Sequence, residues 1–279
     1  MRPHLRGIDH CVVLVKDIDA ARDTYMRLGF SLTPRGFHSI GTQNHCLMFE
    51  RDYVELLAVV DPHPVTQYFV DFLATAEGLG ALALATDDAI AVHASLRADG
   101  IEADLPVNFS RPVDRPGGAR DARFGIVQLP PHATPGCRTF LCQHFTPELV
   151  WLPEHQSHPL GVTGITGVTV VTDDLPATAA AYGRVLGEVP TAQDHGRQIG
   201  FGAATLHITE RADPPTRLAS VALAARGVPM LAALHLRVRD RAAAGEVLRQ
   251  GGFSPLQLAD GALAIDAHQA HGVALVFEQ

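Results

Sequence analysis

Charge is scarce in this chain. Only 19% of its 279 residues are charged, and the formal net charge is −8. No run of Lys or Arg offsets that balance, which argues against a nucleic-acid partner. Cysteine is sparse as well. Cys11, Cys46, Cys137 and Cys142 show no CxxC spacing and no disulfide-framework density. They read as reduced, mostly buried thiols of a cytoplasmic protein. No stretch approaches the roughly 18 apolar residues of a membrane span. The first residues, MRPHLRGIDH, lack the apolar core of a signal peptide. The expectation is a soluble, unexported protein with no membrane partner. Familiar catalytic signatures are missing too. There is no GxSxG elbow and no HExxH stretch, and GFGAATLH lacks the spacing and Lys of a phosphate loop.

What is present is apolar. Residues of the AVILMFWYC set make up 47% of the chain, enough for a sizeable core in one large or two ordinary domains. A strand–Asp–helix–Gly pattern occurs four times. It is anchored at Asp17, Asp87, Asp174 and Asp240, which lie 70, 87 and 66 positions apart by subtraction. Such a period marks an internal repeat. Ile8–Ile18 lies over Ile165–Leu175 without a gap, and Tyr25 then falls on Tyr182. The second copy is longest because of a polar insertion, NFSRPVDRPGGARDAR, which reads as a loop. PEHQSHPLG is the best linker. These features place one domain at 1–155 and a second at 156–279.

The first repeat organises the rest. A Val/Ile/Leu-rich strand from Ile8 leads to a helix capped by Asp17 or Asp19, with Ala21, Tyr25 and Leu28 on one face. Gly29 closes it, and two or three strands follow, the last containing YVELL. The order is βαβββ. It puts His10 on the first strand and Glu55 on the last, both among apolar neighbours. A buried carboxylate is costly unless paired or bound to metal. Imidazole and carboxylate on adjacent strands suit a divalent metal site, although a hydrogen-bonded pair would also satisfy both groups.

With this repeat and the His10/Glu55 pair, the chain resembles the vicinal oxygen chelate superfamily, and most of all its glyoxalase-like domain proteins. The segments that carry the resemblance are GIDHCVVLVKDIDAA, RLGFSLTPRG, GTQNH, YVELLAV and FLCQHFTPELVW. It implies an α+β fold of four βαβββ modules paired into two cupped-sheet domains, with helices outside and a cleft within each. It also implies a metal cleft with a His from the first strand and a Glu from the last strand of each paired module. Module one has both, in His10 and Glu55. Module two has Gly80 at the first position and Gln143, beside His144, at the second. Module three has Gly167 and His207. Module four has Ala233, with His235 two residues on, and no convincing carboxylate. The second cleft therefore reads as degenerate, with His207 and His235 vestigial or structural.

The expected site lies in the first half. His10, Glu55 and His144 are the candidate ligands of a divalent ion (Ni, Mn, Zn or Fe). His45 is the first choice of general base, and Glu55 is the other catalytic candidate. Asn44, Gln143 and Trp151 are the substrate-contact candidates. The alignment turns Gln143, rather than His144, toward the cleft. Arg111 and Arg115 could cap an anionic substrate, although a solvated segment is the plainer reading. The resemblance implies a metal-dependent lyase, isomerase or epimerase acting on a small vicinal-oxygen compound. Two alternatives stay open: a metal-free protein that binds a drug or aromatic compound, and an extradiol-type dioxygenase. Module pairing also allows a homodimer.

Overall fold

The computed structural model describes residues 1–38, 40–113, 118–214 and 218–279. The first repeat is β1 (Leu5–Leu14), α1 (Ile18–Arg27), β2 (Gly36–Phe37), β3 (Thr42–Met48) and β4 (Tyr53–Val59). Helix α2 (Gln67–Thr75) follows it. The second repeat is β5 (Gly78–Thr86), α3 (Ala89–Ala98), β6 (Val107–Val113), β7 (Arg120–Gln128) and β8 (Arg138–His144). The third is β9 (Val162–Thr172), α4 (Leu175–Leu186), β10 (Thr191–Gln193), β11 (Gly196–Phe201) and β12 (Ala204–Glu210). The fourth is β13 (Met230–Val238), α5 (Arg241–Gln250), β14 (Leu256–Gln257), β15 (Leu263–Ile265) and β16 (Ala274–Glu278). The fold is α+β, four βαβββ modules in two pairs.

Each pair of modules builds one curled eight-stranded sheet. The orders are β2-β3-β4-β1-β5-β8-β7-β6 and β10-β11-β12-β9-β13-β16-β15-β14. In each, the two first strands pair antiparallel at the centre, and each last strand runs parallel to its own first strand. Strands of the first sheet fall between residues 5 and 144, and those of the second between 162 and 278.

The helices start where the aspartates dictate. Asp17, Asp174 and Asp240 accept bonds from the free N–H groups of their first turns. In the second repeat the cap is Asp88 rather than Asp87, which instead pairs with His4 and Arg6. Gly187 closes α4 at φ +67°, a backbone angle that favours glycine.

One feature differs from the sequence-based expectation, and one adds to it. The polar insertion is mostly strand where it is described, and its residues 114–117 lie outside the described residues. Its ends form β6 and β7, paired from Val107↔Ile126 to Val113↔Arg120. It reads as polar because β6 is an edge strand facing water, with Asn108, Ser110 and Pro112 exposed. The helices lie on the outer face of each cupped sheet, as expected, but they are not left facing water on their far side. One buried cluster joins Tyr25 of α1, Leu96 of α3, Tyr182 of α4 and Leu248 of α5 with one face of both sheets. The helical layer is therefore shared between the two sheets. Tyr182 donates its hydroxyl to Pro135 O, and Tyr25 to Ala270 O, across the halves.

The opposite, inner face of the first sheet is covered from two directions. Phe69, Phe72 and Leu73 of α2 pack on Val12, Leu14, Leu57 and Ala81. Leu149, Val150 and Trp151, just after β8, pack near Cys46, Tyr53, Phe124 and Cys142.

Candidate functional site

A β-bulge shapes the candidate site. In the β1–β5 pairing, Ile8 opposes Leu84 and His10 opposes Ala83, so Asp9 is the extra residue. A bulge places two successive side chains on one face. Ile8 and Cys11 join the helix-side core. Asp9 and His10 both turn to the inner face, where Asp9 Oδ1 lies 2.6 Å from His10 Nδ1. His144 Nε2 reaches the same carboxylate, 3.1 Å from Oδ1 and 3.0 Å from Oδ2. Burial alone would raise the Asp9 pKa. The hydrogen bonds from the two imidazoles outweigh it and hold the carboxyl at about 2.

The chain of contacts continues across the sheet. His10 Nε2 lies 3.9 Å from Glu55 Oε2 on the parallel neighbour β4. Asn44 of β3 donates its Nδ2–H to Glu55 Oε1 at 2.6 Å. Side chains from β3, β4, β1 and β8 thus run in one line: Asn44, Glu55, His10, Asp9, His144. Aromatic rings wall it. Tyr53 stacks on the His10 ring at 4.4 Å, and Phe140 meets that ring edge-on at 5.5 Å. Trp151 meets the His144 ring at 4.7 Å. His144 Nδ1 and Trp151 Nε1 are buried with no hydrogen-bond partner among the described residues.

The Asp9 contacts have the form of a carboxylate that supports two imidazoles. Metal-bound imidazoles usually give their other N–H to a carboxylate, which fixes the tautomer. Asp9 accepts from both His10 and His144, leaving lone pairs at His10 Nε2 and His144 Nδ1. The 3.9 Å between His10 Nε2 and Glu55 Oε2 is within the ~4.2 Å span of two opposed metal–ligand bonds. Among the described residues His10, Glu55 and His144 do not come together as a three-ligand group, whereas a cluster one step along the line does. One ligand atom each from Asp9, Cys142 and His144 fall within 4.8 Å of one another. Burial, with the carboxylates of Asp9 and Glu55 nearby, pushes the Cys142 thiol well above its usual pKa.

Strand alternation sorts the remaining candidates. Asn44 and Cys46 face inward, whereas His45 and Leu47 face the helices. His45 Nδ1 is bonded to Thr33 O at 2.8 Å, away from the line. In β8, Phe140 and Cys142 are inward and Leu141 is helix-side. His144 is therefore inward and Gln143 is not, the reverse of the facing expected from alignment. Gln143 accepts from Ala89 N at 2.9 Å and donates to Asp87 O at 2.7 Å, holding the start of α3. Arg111 stacks over Phe124 at 5.9 Å, and Arg115 lies outside the described residues. Sequence reasoning missed Asp9. It is an acid beside His10 in an apolar strand, and only the bulge reveals its facing.

The second sheet repeats the register with other residues. Gly167 pairs with Thr205 as His10 pairs with Tyr53, and His207 with Thr169 as Glu55 with Val12. A Cβ at Gly167 would fall 2.3 Å from Thr205 O, so that position admits no ligand side chain. His207 Nδ1 meets Gln193 Oε1 at 2.9 Å, and His235 Nε2 meets Thr169 Oγ1 at 2.8 Å.

Paired βαβββ modules with an inward His and Glu on first and last strands define the vicinal oxygen chelate class. A family model described as a glyoxalase-like domain matches residues 8–186. The chain belongs to that glyoxalase-like family. Among curated proteins none matches the sequence. Solved structures share the fold. A hypothetical protein from Staphylococcus aureus is 14% identical with a TM-score of 0.70, over 98% of this chain and 99% of that one. A variant of 4-hydroxymandelate synthase from Streptomyces coelicolor is 16% identical with a TM-score of 0.62, over 98% and 92%. A variant of homoprotocatechuate 2,3-dioxygenase from B. fuscum is 13% identical with a TM-score of 0.57, over 100% and 73%. No helix among the described residues is long and apolar enough to cross a membrane.

Proposed function

We propose that this protein is a metal-dependent enzyme of the lyase, isomerase or epimerase type, acting on a small compound with two neighbouring oxygens. His10 and Glu55 would hold the ion, and His144, which stands in the Asp9–Cys142 cluster, would have to turn toward them to join it. The observation that carries this reading is the Asp9 carboxylate, which accepts from His10 and His144 together at 2.6–3.1 Å and frees a nitrogen on each. When bound, a divalent ion supplies Lewis-acid polarisation of the substrate oxygens. Glu55 would exchange its ligand role for that of base, taking the proton from the substrate carbon beside those oxygens and returning it. Asn44 fixes its Oε1, so Oε2, the oxygen that faces His10 Nε2, would serve the two roles in turn. His45 does not take this role in our reading, because it faces the helical layer. Trp151 Nε1 offers a donor to substrate, and Tyr53, Phe140 and Trp151 exclude water.

The inward facing of His144 also favours a second reading. Two imidazoles and one carboxylate suit non-haem iron and an extradiol-type dioxygenase. The experiment is a turnover screen with protein loaded separately with Ni, Mn, Zn and Fe. Proton transfer in 2-oxoaldehydes or hydroxy-ketones, lost in Glu55→Gln, supports the first reading. Ring opening of catechols with iron alone supports the second. Ligand binding indifferent to chelators and to His10→Ala would favour the metal-free binding protein over both.

A further inference from the structure

A cavity of about 690 Å³ lies away from the His10–Glu55 line, beside α2 and the seam between the sheets. That volume is within the roughly 300–1,000 Å³ of small-molecule sites. Its walls include Tyr68 and Phe72 of α2, Pro229 and Met230 at the start of β13, and two arginines, Arg138 and Arg226. Arg138 opens β8 and His144 ends it, six residues or about 20 Å apart along the strand. The cavity and the candidate metal site therefore lie at opposite ends of β8.

The two guanidinium groups are half-buried and incompletely matched. Arg226 donates from Nη1 to Leu79 O at 3.4 Å and from Nη2 to Leu231 O at 3.2 Å. Arg138 donates from Nε to Gln128 Oε1 at 3.3 Å. Among the described residues neither has a carboxylate within ion-pair distance. Asp104, exposed on the rim, is the acid that Arg138 senses, at longer range. Aromatic faces hold both planes in place. Arg226 lies 4.5 Å from the Phe72 centroid, and Arg138 lies 5.4 Å from Phe69 and 5.7 Å from Tyr68. Partial burial lowers the pKa of both arginines, as expected for cations drawn from water without a full counter-charge. Stacked guanidinium forks with spare N–H groups are suited to carboxylate or phosphate oxygens.

We propose that this cavity binds a small organic anion, a carboxylate or phosphate monoester on an apolar body, through Arg138 and Arg226. The apolar body lies against Phe72, Pro229 and Met230, and the anionic head lies between the guanidinium groups. The site is separate from the proposed metal centre and does not depend on it.

The test is ligand-detected NMR titration of the full chain with benzoate, phenyl phosphate and the uncharged control benzyl alcohol. Saturable binding of one or both anions, with benzyl alcohol binding at least about tenfold more weakly, is expected. The stronger anion tells carboxylate from phosphate. Arg226→Met and Arg138→Gln should each weaken the anion about tenfold or more, and His10→Ala should leave its affinity unchanged. If Arg226→Met fails to fold, Arg138→Gln and the wild-type charge preference decide. Equal binding of benzyl alcohol, no saturable anion binding, or loss of binding in His10→Ala would each overturn the proposal.

Discussion

Asp9 and His10 are consecutive in a β-strand, yet both point to the same face of the sheet, with Asp9 Oδ1 2.6 Å from His10 Nδ1. The bulge in β1 makes this geometry, and it gives one carboxylate to two imidazoles from strands that are far apart in sequence. Asp9→Asn keeps an accepting oxygen and a similar shape but loses the charge. It should stay folded and bind divalent metal about 10–100-fold more weakly. Competition against a chelator measures this. A lower melting temperature with unchanged metal affinity would make Asp9 a purely structural acid.

Trp151 is the single tryptophan and packs 4.7 Å from the His144 ring. Its fluorescence should fall saturably on titration with Ni or Fe, and His144→Ala should abolish that change. Emission indifferent to the metals in the wild type would place the ion elsewhere.

Residues on the helix side should affect stability alone. Gln143→Ala removes two bonds at the start of α3 and should cost about 1 kcal/mol in urea unfolding. His45→Ala should leave metal content and turnover as they are. A large loss of turnover in His45→Ala, with metal retained, would restore it as the base.

Asp52 gives a pH signature. Burial is the main cause that raises its pKa to about 7, against the bond it accepts from Ile165 N. A raised folded pKa means stability that is fully present below about pH 4 and is lost as pH rises through 7. Asp52→Asn should therefore stabilise the protein at pH 8 and change little at pH 4. Thermal melts at both values check the sign. Equal shifts at the two pH values would show that Asp52 does not titrate in this range.

Much of the fold is legible in the sequence because local signals agree with it. The capping aspartates, the closing glycines and the apolar first strands recur in every module, and His10 and Glu55 stand out as polar residues in apolar strands. What stays hidden depends on facing and on layer. A one-residue bulge turns Asp9 inward, and no property of the tripeptide Ile8–Asp9–His10 announces it. Alignment of β8 with its counterparts slips by one residue, which exchanges Gln143 and His144, since a single step reverses every side chain of a strand. The sharing of the helical layer is not legible because it rests on contacts between residues far apart in the chain, such as Tyr25 with Ala270 and Tyr182 with Pro135. The arginine cavity forms only where two halves of the chain meet.

The central claim is that His10 and Glu55 hold a divalent ion. Elemental analysis of purified protein tests it most directly, with wild type beside His10→Ala, Glu55→Ala and Cys142→Ser, all checked for folding. The account expects about one ion per chain in wild type and Cys142→Ser, and none in His10→Ala or Glu55→Ala. Metal lost in Cys142→Ser but kept in the other two would move the ion to Asp9, Cys142 and His144. No metal in any folded sample would contradict the metal-dependent reading altogether.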